Sequence, residues 1–282
     1  MKEVKVNQFG GSWTEAKMEI VVNYAKAYLI IMNKQDWVKT LYFDGFAGSG
    51  SIGANDKEIK GMALRILDID EPKPFDTYYF VEKDKKNKDS LEASIKENYP
   101  NKKKNAHVVN EDCNKKLIHM ATYLSKNKAF RALAFIDPFG MSVNWKSIEA
   151  LKDLGIDLWI LVPTGLGVNR LLKNDQKIPE AWLVKLEVFL GLSREVILDR
   201  FYSQKTIHTL FGSETKTNKE LDTIEKIGGL YTERLKTVFQ FVSESFIMRN
   251  STNSIMYHFM MATNNKTALK LANDIIKPKY KI

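Results

Sequence analysis

Four carboxylic acids in this chain follow short apolar runs: Asp44 closes LYFD, Glu82 closes YYFVE, Asp112 lies just past HVV, and Asp137 closes LAFID. Apolar runs of this length, bounded by turn residues, read as buried strands, so the acids stand at or just beyond strand ends. Carboxylates accept hydrogen bonds from amino groups and hydroxyls and repel phosphate, so they suit a ligand bearing the former better than a bare phosphate. Directly after Asp44 comes a turn with Gly45, Gly48 and Gly50. Glycine lets the backbone come close to a ligand that a Cβ would push away. Ligands of α/β sheets sit at the carboxyl ends of strands. The spacing Gly45-x-x-Gly48-x-Gly50 is not the dinucleotide fingerprint G-x-G-x-x-G, and the turn lacks the Lys-Ser/Thr of a P-loop, which argues against nucleoside triphosphate hydrolysis. A tight turn holding no ligand is the alternative at this point.

The 282 residues are enough for one large α/β domain, or one domain with an insertion. With 44% hydrophobic and 11% aromatic residues the chain can build a substantial core, yet no apolar run is long enough to span a bilayer. The opening MKEVKVNQFGGSWTEAK has no apolar stretch of the kind a secretory leader carries. A single cysteine, Cys113, excludes an intrachain disulfide and an all-cysteine zinc site, and fits a reducing, cytoplasmic setting. Histidines 107, 119, 208 and 258 lack metal-ligand spacing, so no metal is expected. A net charge of +9 and a pI near 9.3 favour a polyanionic partner, nucleic acid foremost. The excess sits in patches: Lys83, Lys85, Lys86 and Lys88, then Lys102, Lys103 and Lys104, then Lys277, Lys279 and Lys281. Solvated helix faces and loop tips are the other explanation for them.

Elements must hold the four acids in place. Apolar positions Ile20, Tyr24, Ala27, Tyr28 and Ile31 recur at helical spacing and predict a helix over 13–33, with Thr14 as its cap and Lys17 in the first turn. Strands are expected at 40–44, 77–82, 106–109, 131–136 and 157–162. Helices are expected at 60–69 (after a polar turn at Asn55–Lys57), 85–98, 114–125 and 145–154. Strict alternation of strand and helix implies a parallel sheet with helices on both faces. The regularity then breaks. Residues 166–237 read as a mostly helical insertion able to cover the site, although they include the polar stretch HTLFGSETKTNKE. One strand-like run over 238–249 and another over 255–262, joined by a polar turn at Asn250–Asn253, read as an antiparallel hairpin, and a last helix covers 265–277. The chain thus divides into a core at 1–165, the insertion at 166–237, and residues 238–282 completing the core.

Five strand–helix units followed by an antiparallel hairpin resemble the class I S-adenosylmethionine methyltransferase fold: Rossmann-like, with a mostly parallel seven-stranded sheet. The resemblance implies that the glycine turn wraps the methionine part of the cofactor, that Glu82 takes the ribose hydroxyls, and that Asp112 meets the adenine amino group. The implied cofactor set is Asp44, Gly45, Phe46, Ala47, Gly48, Gly50, Glu82, Lys83, Asp112 and Cys113, with Cys113 a packing residue beside the adenine pocket. An NAD enzyme could use Glu82 in the same way, but Asp44 would repel a pyrophosphate, whereas it would attract the cationic amino-acid end of S-adenosylmethionine.

Asp137-Pro138-Phe139-Gly140 resembles the D/N-P-P-Y/F motif of methyltransferases acting on exocyclic amino groups of bases. An exocyclic amine is a poor nucleophile because its lone pair is delocalised into the ring. An acid or amide oxygen and the following carbonyl accept its two N–H groups and draw the nitrogen towards sp³, while an aromatic ring stacks on the flipped base. Asp137 and the Pro138 carbonyl would be the acceptors and Phe139 the ring. The second proline is absent and the aromatic residue sits one place early. The form D-P-F-G is also similar to the motif of the tRNA guanine-N2 dimethyltransferases, which keeps an amino-group target open. A simple strand-ending turn is the alternative. After the fifth strand, Gly167-Val168-Asn169-Arg170 reaches the same edge, so Gly140, Asn169 and Arg170 are expected to contact substrate; a helix cap at Asn169 and an ion pair at Arg170 are equally open.

Taken together, Thr14-x-x-Lys17, Tyr42-x-Asp44-Gly45-Phe46-Ala47-Gly48, Phe80-Val81-Glu82-Lys83-Asp84, Ala134-Phe135-Ile136-Asp137-Pro138-Phe139-Gly140, Gly167-Val168-Asn169-Arg170 and Tyr257-His258-Phe259 resemble the three-Cys-motif partner (TcmP) family. The resemblance covers most of the chain. It implies a methyltransferase-like fold and a protein partner with three clustered cysteines, itself similar to radical S-adenosylmethionine proteins. Two functions stay open: a methyltransferase acting on a base amino group in RNA or DNA, and a non-catalytic subunit that keeps the fold.

Overall fold

The computed structural model describes residues 12–52, 59–174, 176–209 and 212–278. Residues 1–11, the turn expected at Asn55–Lys57, and Lys279 and Lys281 of the basic tail lie outside the described residues. The first half runs α1 (Ser12–Met32), β1 (Lys39–Asp44), a short pair β2 (Ser51–Ile52) and β3 (Ile59–Lys60), α2 (Met62–Leu67), β4 (Thr77–Glu82), α3 (Lys85–Asn98), β5 (Ala106–Asn110), α4 (Cys113–Lys126), β6 (Phe130–Ile136), α5 (Trp145–Glu149) and β7 (Ile156–Val162). The second half has a wide helical turn at Thr164–Val168, then α6 (Asn169–Leu171), α7 (Glu180–Leu190), α8 (Arg194–Phe201), β8 (Tyr202–Thr209), β9 (Gly212–Lys219) and α9 (Thr223–Leu235). It closes with β10 (Phe241–Val242), β11 (Phe246–Arg249), β12 (Ile255–Thr263) and α10 (Lys266–Ile276).

The main sheet has the order β5-β4-β1-β6-β7-β12, with β10 and β11 both paired to the far side of β12. Five strands are parallel and β12 is antiparallel to β7. This is a Rossmann-like α/β fold, a mostly parallel sheet with an antiparallel hairpin at its edge. Period-two alternation divides the core. Leu41 and Phe43 point to one face, against α4, α5 and the insertion helices; Tyr42 points to the other, against α1, α2, α3 and α10. All seven residues of β7 are buried, as expected of a strand covered on both faces.

Several details differ from the sequence expectation: α5 ends at Glu149 instead of running to Leu154, and Lys60 lies in β3, ahead of α2. α1 begins at Ser12, so Thr14 lies inside its first turn rather than capping it. The run over 238–249 is two short strands, because Ser243 interrupts the ladder: its N–H donates to the Met261 carbonyl (2.8 Å) while its hydroxyl accepts from the Met261 N–H (2.9 Å). In the insertion, the polar stretch joins β8 and β9 as an antiparallel ribbon. Its threonines, at 206, 209, 215 and 217, are β-branched and favour extended backbone.

The wide turn after β7 packs tightly under the start of β12. A Cβ on Gly165 would lie 2.0 Å from the Ile255 carbonyl oxygen, and backbone cannot move aside as a side chain can. Gly165→Ala is therefore expected to destabilise the protein by roughly 1–3 kcal/mol or more, read as a lower urea midpoint at constant m-value; an unchanged midpoint would show that the turn has room.

Candidate functional site

Strand register brings the acids together. Asp44 pairs with Phe80 of β4 and with Phe135 of β6, so Glu82 and Asp137 each lie two residues further along the parallel neighbours, at one carboxyl edge. Asp112 joins them through the pairing of β4 with β5, as the residue before α4. The glycine turn is stitched across this edge: the Gly45 N–H donates to the Phe135 carbonyl and the Ala47 N–H to the Val81 carbonyl, both at 3.0 Å. Gly48 and Gly50 have φ of +67° and +91°, which side chains with a Cβ rarely adopt. Gly45 is needed for a different reason. A Cβ there would meet Cys113 Sγ at 2.5 Å and Ile136 Cδ1 at 2.7 Å.

Each acid has a distinct environment. Asp44 is fully buried; its Oδ1 accepts from the Phe46 N–H at 3.0 Å, and among the described residues its Oδ2 has no hydrogen-bond partner. Burial pushes its carboxyl up to about 7, with the Asp137 and Glu82 charges adding to the rise and the Phe46 N–H and Lys17 opposing it. Glu82 accepts from the Gly48 N–H (2.9 Å) and the Asp84 N–H (2.7 Å), one on each oxygen. A carboxylate has about four acceptor positions, so it retains capacity for two ligand hydroxyls. Asp112 caps α4 through the Asn114 N–H at 2.9 Å and pairs with Lys83 at 3.3 Å. Burial raises its carboxyl, but the Asn114 and Lys83 contacts outweigh this and hold it below its ordinary value. Cys113 is buried beneath Gly45, and burial with the Asp44 and Asp112 charges pushes its thiol well up, the opposite of an activated nucleophile.

Asp137 follows β6 and is partly exposed; Phe139 is 81% exposed, and Gly140 has φ +60° with open space around it. The loop behind them is braced from α4. Asn114 Nδ2 donates to the Ser142 carbonyl (2.9 Å) and its Oδ1 accepts from the Asn144 N–H (2.7 Å).

Three residues outside the sequence-derived set join this edge. Lys17 of α1 forms an ion pair with Asp137. Tyr257 of β12 stands near Asp137 and Arg170: burial, then the Asp137 charge, raises its hydroxyl, and Arg170 opposes this. Lys219 of β9 donates to the Asn169 carbonyl (3.0 Å), to Asn169 Oδ1 (2.6 Å) and to the Leu172 carbonyl (2.8 Å). Asn169 Oδ1 is thus engaged by the ribbon, and α6 has no side-chain cap. A signal for Lys17 was present in the sequence: it lies on the stripe of Ile20, Tyr24 and Tyr28, where an apolar residue is expected.

A cavity of about 370 Å³ lies on the α4 side of the sheet, lined by Leu41, Phe43, Tyr79 and Phe130 among others, away from these acids. Chemistry rather than volume therefore marks the site. Among the described residues no cluster of His, Cys, Asp or Glu can hold a metal ion, and no helix is long and apolar enough to cross a membrane.

No protein-family model and no curated protein matches the chain. Solved structures similar to it include the putative methyltransferase yhhF from Escherichia coli (16% identity, 70% of this chain and 85% of that one, TM-score 0.31). Trm1 from Pyrococcus horikoshii, solved with S-adenosyl-L-methionine, is 11% identical over 98% of this chain and 74% of its own, with a TM-score of 0.41. Protein LPL1258 from Legionella pneumophila is 15% identical over 91% and 99%, with a TM-score of 0.45. Likeness at these identities concerns the fold alone.

Proposed function

We propose that this chain binds S-adenosylmethionine and transfers its methyl group to an exocyclic amino group of a base in RNA or DNA. The observation that carries the cofactor is Asp44: a fully buried carboxyl whose second oxygen has no partner, set beside a glycine turn. Such an atom calls for a donor, and the ammonium of the cofactor's amino-acid end supplies one with charge complementarity. Glu82 would hold the ribose hydroxyls, the Asp112–Cys113 end of α4 would border the adenine, and Phe46, Ala47, Gly50 and Lys83 would complete the wall. When bound, the cofactor would supply a methyl on a positively charged sulfur that leaves as the neutral thioether with the bonding pair, the amine nitrogen taking the methyl and giving its proton to solvent.

The chain's own residues do the rest. Asp137 and the Pro138 carbonyl accept the amine N–H groups and turn its lone pair towards the methyl. The exposed Phe139 ring offers a stacking face for an extruded base, with the open Gly140 beside it. Arg170, near Tyr257, would take a phosphate; the net positive charge favours a polyanionic substrate. Cytoplasmic residence and the division into core, insertion and closing hairpin belong to the same reading.

A second reading is a non-catalytic subunit beside a three-Cys-motif protein. The departure of Asp137-Pro138-Phe139-Gly140 from D/N-P-P-Y/F favours it. Calorimetric titration with S-adenosylmethionine and S-adenosylhomocysteine tests the cofactor site, and lowered turnover with kept cofactor binding in Asp137→Asn separates the enzyme from a subunit that retains the cofactor. Affinity on the order of micromolar, or about −8 kcal/mol, is expected for the wild type and its loss in the double variant Asp44→Ala, Glu82→Ala. A wild type that binds neither compound would favour the subunit.

A further inference from the structure

Among the described residues Lys17 is the only lysine or arginine that is buried, with 5% of its side chain exposed. It lies on α1, and its Nζ pairs with Asp137 Oδ2, 120 residues away in sequence. Around it stand the Phe135 ring at 5.9 Å and the Trp13 ring at 6.0 Å. Desolvating an ammonium is costly, and a methionine of similar length would fill this aromatic niche without that cost. Asp137 retains 29% of its side-chain surface, so it would stay solvated without its partner. Stability alone therefore favours an apolar residue at 17, and the charge needs another reason.

We infer that Lys17 is a positioning residue for the acceptor site: it holds one carboxylate oxygen of Asp137 against the end of β6, so that the other oxygen and the Pro138 carbonyl stay turned to the incoming amine. The inference rests on the methyl-transfer reading and names how that site is oriented. An amine that must donate two hydrogen bonds at once needs both acceptors held, and a carboxyl rotating freely at χ2 would offer them only part of the time. The pair also ties α1 to the catalytic edge, so the helix before β1 becomes part of the site rather than only cover for one face. A competing role for the same ammonium is capture of the cofactor's carboxylate.

Lys17→Met and Lys17→Arg are to be compared with wild type in three measurements: melting temperature, S-adenosylhomocysteine affinity, and kcat and KM separately for transfer of tritiated methyl to total RNA and to sheared genomic DNA from host cells lacking this protein. Lys17→Met is expected to melt no lower than wild type and to bind S-adenosylhomocysteine within about threefold. It should lose on the order of 100-fold in kcat with little change in KM, and Lys17→Arg should recover at least about a tenth of the activity. Unchanged kcat in Lys17→Met would overturn the inference, as would a loss of S-adenosylhomocysteine affinity of about tenfold or more, which would make Lys17 a cofactor ligand instead. A wild type that methylates neither acceptor would overturn the methyl-transfer reading and this inference with it. That case is recognisable because wild type and variant are then equally silent.

Discussion

Asp137→Ala is expected to bind S-adenosylmethionine within about threefold of wild type and to lose roughly 10²–10³-fold in turnover, the range typical of removing one preorganised hydrogen-bond partner of the reacting group. The loss should fall on kcat, because the contact to the amine matters most as its nitrogen becomes tetrahedral. Stability should fall as well. With alanine at 137, the buried Lys17 ammonium has lost its partner, and an unpaired buried charge typically costs about 3–5 kcal/mol. Adding Lys17→Met to Asp137→Ala should restore most of that stability and none of the turnover, so the two stability effects are strongly non-additive. Asp137→Asn is the informative intermediate. An amide oxygen still accepts, so it should keep more activity than alanine. Full activity in Asp137→Ala would remove this residue from the reaction and leave the subunit reading in front.

The second large effect is a pH dependence carried by Asp44. Its carboxyl is pushed from an ordinary 3.8 to about 7, chiefly by burial. A group whose folded value is raised binds its proton more tightly in the native state, so its contribution to stability is complete below about pH 4 and is lost as pH rises through about 7. At 1.36 kcal/mol per unit, the span corresponds to about 4 kcal/mol. Wild type and Asp44→Asn, compared by urea unfolding between pH 4.5 and 8, should therefore diverge, with the asparagine protein gaining relative stability as pH rises. A constant difference would show that Asp44 ionises normally and is solvated. The cofactor reading adds a coupled effect. An ammonium against Asp44 favours its ionised form, so S-adenosylmethionine affinity should rise with pH up to about 7, by at most about tenfold per unit, with proton release on binding below that. Calorimetry in buffers of different ionisation enthalpy measures that release directly, and Asp44→Asn should abolish it.

Both predictions turn on residues whose type and place were legible in the chain, but whose environments were not. Asp44 and Asp137 stand out because apolar runs end at them, and that pattern is local. So is the alternation that marks five parallel strands: a strand buried on both faces must be almost entirely apolar, as β7 is but for Asp157, whose carboxylate accepts from Tyr24 and Thr263. The glycine turn is local for the same reason, since positive φ at Gly48 and Gly50 is a property of single residues. The ribbon β8–β9 was hidden because its threonines compete with helical neighbours on weak propensity alone, and only pairing settles such a stretch. The break at Ser243 was hidden because one serine hydroxyl substitutes for a ladder contact across strands.

The sequence by itself determined the fold class and the acids that gather at the carboxyl ends of its strands, because those follow from periodicity and from the chemistry of single side chains. Only the tertiary structure decided which acid is starved of partners, which is half engaged, and which is clamped. Asp44 is raised because it is fully buried, Glu82 takes one backbone N–H on each oxygen and keeps acceptor positions free, and Asp137 is held by Lys17 of α1. Hydrogen bonding, desolvation and ion pairing act over a few ångströms of space, and the residues that meet across that distance at this edge lie up to 120 positions apart in the chain.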